Sequence, residues 1–147
     1  MNEIKNELSK LEGCLIKKVI PGSFNSSIIE LLIENSDKEE VVLMIKCSWR
    51  LSQKNKVLTG WNDPYYSDES NFYVQMKNIV GHAILAAQIN ELNDIDFLLN
   101  EKKLTIFSDL YSSDFDEETE NWDFSVPHRN ICYSAISNKE LQKGTYY

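Results

Sequence analysis

Short apolar runs rich in β-branched and aliphatic residues, each broken by turn chemistry, constrain this fold more than any other feature of the sequence. Residues 14–20 carry Ile16 and Val19 and stop at Pro21, Gly22 and Ser23. Residues 28–33 hold five aliphatic side chains around a lone Glu30, before the polar turn at residues 34–38. Residues 41–47 form a third run that ends at Ser48, Trp49 and Arg50. Runs this short and this rich in Ile and Val favour strands over helices, and turns so closely spaced favour a β-meander.

The pattern then returns. Ile79 and Ile84 flank Gly81 as Leu11 and Ile16 flank Gly13, and Asp96 precedes Phe97, Leu98 and Leu99 as Glu30 precedes Leu31, Leu32 and Ile33. Leu104, Thr105, Ile106 and Phe107 take the place of residues 42–45. One meander cannot bury its own apolar face, so two such units are expected to pack together. The expected fold is mainly β: a single domain of two related β-meander units, about residues 11–51 and 79–126, forming a flattened barrel or sandwich with short terminal helices. Ile4, Leu8 and Leu11 are spaced for one face of an N-terminal helix. Residues 130–144 are expected to hold a last strand and a short helix, with Ser137 and Glu140 as a capping box and Gly144 as its end. The expected core comprises Ile16, Val19, Leu31, Ile33, Val42, Met44, Trp49, Ile84, Phe97, Leu99, Leu104, Ile106, Trp122 and Phe124.

At 147 residues one domain is the default. Lys+Arg 15 against Asp+Glu 23 leaves a net charge of −8, which disfavours nucleic acid because phosphate contacts need a basic face. No apolar run reaches the roughly 20 residues of a membrane helix, and the polar start at Asn2 and Glu3 argues against a signal peptide. Cys14, Cys47 and Cys132 form no CxxC pair and are expected as reduced, buried thiols in a cytoplasmic protein.

Residues 52–70 are polar and turn-rich yet carry Trp61, Tyr65 and Tyr66, which marks them as a functional loop or as aromatics folding back on the domain. Asp114, Asp116, Glu117, Glu118 and Glu120 form an acidic run beside Tyr111, Phe115 and Trp122. That run lacks the glycine and glutamate spacing of a calcium loop. It reads instead as a solvated loop or as a surface that docks on a basic protein. Together Asp114, Asp116, Glu117, Glu118, Glu120, Trp61, Tyr65 and Tyr66 are the candidate partner-binding residues. His82, expected on a strand, and His128, expected in a turn, have no companion motif that would make either a catalytic base. No phosphate loop, nucleophile elbow or zinc motif is present, so no catalytic residue, metal or cofactor is expected.

The spacing of Leu11, Gly13, Ile16 and Val19, the strand ending Trp49-Arg50, the Gly81 unit, the Leu104, Ile106, Phe107 and Asp109 pattern, and Asn121-Trp122 resemble a group of small uncharacterised bacterial proteins. Some members occur with polymorphic toxin systems and are regarded as immunity-protein-like. The resemblance covers roughly residues 11–126 and brings no catalytic motif. It implies an immunity-like context, and the −8 charge, the acidic run at residues 112–123, the aromatic loop and the lack of catalytic motifs then favour a non-enzymatic module that occludes a basic toxin through an acidic and aromatic surface. The alternatives are a small-molecule binder or enzyme with a pocket between the two halves, using His82 or Arg50, and a homo-oligomer joined through strand edges.

Overall fold

The computed structural model describes residues 2–22, 28–108, 119–137 and 139–146. The chain opens with α1 (Asn2–Ser9), followed by β1 (Ile16–Pro21), β2 (Ile29–Glu34), β3 (Glu40–Ile45), β4 (Ser48–Gln53) and β5 (Lys56–Gly60). Helix α2 (Asn71–Lys77) starts a second series of the same order: β6 (Ala86–Ile89), β7 (Ile95–Leu99), β8 (Lys102–Phe107), β9 (Glu120–Val126) and β10 (Ile131–Ile136). A 3-10 turn (Pro127–Arg129) joins β9 to β10, and β11 (Gln142–Gly144) follows.

These strands form two antiparallel sheets, ordered β1-β2-β3-β9-β10-β11 and β5-β4-β8-β7-β6. Both sheets and both helices contribute to one buried apolar cluster, so the molecule is a flattened single-domain sandwich and not a closed barrel. After β3 the chain leaves its own sheet, and β4 pairs with β8. After β8 it crosses back, and β9 pairs with β3. Each half completes the other's sheet. Trp49 on β4 lies opposite Ile106, Trp122 on β9 lies opposite Ile45, and both indoles are fully buried.

The halves meet at two glycines. Gly13 donates its N–H to the Ile84 carbonyl at 2.7 Å, and Gly81 donates to the Ile16 carbonyl at 2.8 Å. Ile84 N–H returns to the Cys14 carbonyl at 2.8 Å and Ile16 N–H to that of His82 at 3.1 Å, around a bridge between Leu15 and Ala83. Both glycines hold positive φ, +81° and +87°, where a Cβ is strained. Upstream of each, a helix spends the same face. Ile4, Leu8, Leu11 and Ile16 recur at constant offset as Phe72, Met76, Ile79 and Ile84, all buried. The helices are exchanged too, α1 packing on β6 and α2 on β1.

Several expectations are corrected. No terminal helix forms among the described residues of 137–144. Ser137 is buried, accepts from Asn121 Nδ2 at 3.3 Å and donates its N–H to the Thr119 carbonyl, so it holds β9 instead of capping, and β11 pairs with β10. Residues 52–70 are not one loop, because residues 56–60 form β5, and α2 begins just beyond. His82 stands beside the Leu15–Ala83 bridge and not within a strand. On β3, Val41, Leu43 and Ile45 join the central cluster, whereas Val42, buried as expected, and the half-buried Met44 lie on the opposite face. A run apolar at every position carries no phase, and a one-residue slip exchanges the faces. Val19 is half-buried, as are all three cysteines, which are free thiols. Among the described residues no helix is long and apolar enough to cross a membrane.

Candidate functional site

Alternation along β4 sends Trp49 and Leu51 inward and Arg50 outward. Arg50 lies opposite Thr105 of β8, with Phe107 on the diagonal, and its guanidinium carbon sits 4.8 Å from the Phe107 ring centroid. That spacing is a cation–π contact. Among the described residues no carboxylate pairs with this guanidinium. Next in the same row, Thr105 lies opposite Asp96, and the buried Thr105 hydroxyl and Asp96 Oδ1 have no hydrogen-bond partner among the described residues.

The β5 strand supplies the second wall. Gly60 lies opposite Arg50, and a Cβ there would come 3.2 Å from the Trp49 carbonyl oxygen, so glycine admits the close approach by which Trp61 N–H reaches that oxygen at 3.0 Å. Thr59 Oγ1 donates to Asp63 Oδ2 at 2.6 Å, and Asn71 Nδ2 donates to the Leu58 carbonyl at 2.9 Å, which fastens this turn to the start of α2. Arg50, Phe107, Trp61, Asp63 and Asn71 thereby wall a pocket of about 400 Å³. Trp61 stands at it 46% exposed.

The loop aromatics divide. Tyr65 lies edge-on to Phe72, with centroids 5.7 Å apart, and tilts against Tyr73 at the same distance. Its hydroxyl donates to Asp68 Oδ1, and burial followed by that carboxylate pushes the phenol up from its ordinary pKa. Tyr65 is therefore packing. Tyr66 is 85% exposed, and its backbone N–H donates to Ser70 Oγ at 3.0 Å.

Glu120 starts β9, on the other sheet, and pairs with Lys46, which also meets Asp123 at 3.2 Å. Burial opposes the Lys46 charge, but these two carboxylates prevail and hold its pKa above the ordinary range. Glu120 is thus already engaged within the chain. Asp114, Asp116, Glu117 and Glu118 lie outside the described residues. In sequence their segment, residues 109–118, follows Ser108, the neighbour of the pocket-lining Phe107. Those ten residues hold five acids and no base, so they carry five of the eight surplus negative charges.

His82 is half-buried and His128 exposed on the 3-10 turn. Among the described residues no hydrogen bond joins either imidazole to a cysteine, and no three His, Cys, Asp or Glu side chains converge as a metal site. Burial pushes the Cys47 thiol up to about 12, so it stays protonated and unreactive at neutral pH. A groove at the junction of the halves runs between α2 and β1, and neither His82 nor Arg50 lines it. Sequence reasoning missed Phe107, Asp63 and Asn71. Phe107 was discoverable only through the β4–β8 register, which a single sequence does not carry. Comparison with protein-family models, curated proteins and solved structures returned no match.

Proposed function

We propose that this chain is a non-enzymatic bacterial protein-binding module that occludes a basic protein, in the manner of the immunity-like proteins it resembles. The observation that carries the reading is the exposed Trp61 beside the Arg50–Phe107 stack, which meets no carboxylate among the described residues, on a strand that the acidic segment follows in sequence. A large aromatic at the rim of a preformed pocket is suited to anchoring a partner. Concentrated negative charge on the adjoining segment steers a basic protein toward that anchor and speeds association in low salt. The repeated order of helix and five strands reads as an internal duplication, with the acidic run added to one copy only.

The test is capture from the native host's lysate at low salt, with mass spectrometry of what is retained. Three baits are compared: the intact chain, Trp61→Ala, and a variant with Asp114, Asp116, Glu117 and Glu118 all changed to Ser. One stoichiometric basic protein held by the intact chain and lost from both variants supports the reading. Retention on both variants overturns it.

A further inference from the structure

A groove of about 350 Å³ lies between β1 and α2. Its floor is apolar, with Phe72 and Met76 fully buried and Val19, Tyr73 and Val80 beside them. Its remaining lining residues are Lys17, Lys18 and Lys77, and among the described residues no acid lines it, in a chain of net charge −8. Lys17 pairs with Glu34 at 3.0 Å, and Lys77 Nζ sits 5.7 Å from the Tyr73 ring centroid. The Lys18 ammonium has no hydrogen-bond or ion-pair partner among the described residues. The fold itself does not require these cations. At the equivalent stations of the other half, where α1 packs on β6, Leu85, Ala86 and Ser9 replace Lys17, Lys18 and Lys77.

We propose that this groove binds an amphipathic anion, a free fatty carboxylate of medium chain length, with its chain along Val19, Tyr73 and Val80, above the buried Met76, and its headgroup beside Lys18 and Lys77. Apolar floor and basic rim match the two ends of such a ligand. The volume lies at the low end of the roughly 300–1,000 Å³ of small-molecule sites, which suits a single chain. The inference is independent of the protein-binding reading, since it uses another face and opposite charge.

The test follows the methionine methyl signals of the full chain by NMR, labelled with carbon-13, while dodecanoate is added below its micelle concentration. The expected result is a saturable shift of the Met76 methyl, with Met44, on the outer face of β3, unmoved. Dodecyltrimethylammonium should bind far more weakly, and a K18E/K77E variant with an unchanged circular dichroism spectrum should lose affinity for dodecanoate at least about fivefold. Absence of a saturable Met76 shift overturns the proposal, as does equal binding of the cationic amphiphile or unchanged affinity in the variant.

Discussion

Arg129 grips Glu7 with two parallel hydrogen bonds, Nη1 to Oε1 at 2.8 Å and Nη2 to Oε2 at 2.6 Å, and turns its Nε to Glu39 at 2.7 Å. One guanidinium so ties the turn after β9 to α1 and to the β2–β3 connection. Glu7 is only 6% exposed. Arg129→Gln leaves that carboxylate buried without its main cation, and the expected cost is about 2 kcal/mol, less than for a fully buried pair because the arginine itself is partly solvated. Urea denaturation measures it. A loss below about 0.5 kcal/mol would mean that the pair is an ordinary surface contact.

Stability should fall with acid. A hydrogen bond from Asn35, with further help from Arg129, holds the Glu39 carboxyl below its ordinary value of 4.5, and Lys17 does the same for Glu34. A folded pKa below the unfolded one stabilises the native state above the unfolded value, and the gain is lost as pH drops through the folded value. The urea midpoint is therefore expected to hold steady from about pH 7 to 5 and to decline below about 4.5. In Arg129→Gln the decline should be shallower. A midpoint that rises on acidification contradicts this assignment.

Gly13→Ala and Gly81→Ala should each cost about 1 kcal/mol, through backbone conformation alone. Nothing lies within 4 Å of a Cβ at either position, so no clash contributes. Gly144→Ala, equally open but without positive φ, is the control and should be near neutral. Thermal melts of the three variants decide it, and three equal shifts would remove the special role of φ.

Tyr65 and its loop neighbours should separate packing from recognition. Tyr65→Ala removes an edge-on contact with Phe72 and is expected to lower stability by roughly 1–2 kcal/mol. Trp61→Ala and Tyr66→Ala should change stability by less than about 0.5 kcal/mol, while Trp61→Ala weakens partner binding at least about tenfold. Melting curves alongside affinity measurements on one set of variants test both halves of the expectation.

Strand positions were legible because β-branched runs and turn residues act locally, and they located β1, β2, β3, β7, β8, β9 and β10. The face of β3 was not, since five consecutive apolar residues from Val41 to Ile45 show no alternation. Helix α2 was missed because two aromatics and a valine in seven residues are weak helix formers. Yet Phe72, Met76 and Ile79 repeat the spacing of Ile4, Leu8 and Leu11 that revealed α1. The exchange of β4 and β9 between sheets depends on partners far away in sequence, and no local signal encodes it. The same holds for the site. Trp61 stood out as a loop aromatic, but its neighbours Arg50 and Phe107 are brought together only by the register of β4 on β8.

That exchange dictates an order of events during synthesis. While the chain emerges from the ribosome, the free edge of β3 has no partner until β9 appears, and β4 must wait for β8. Neither half can close its core alone, so the nascent protein carries open, apolar strand edges until β9 has emerged. Any fragment cut within the link between β8 and β9 inherits the same incompleteness.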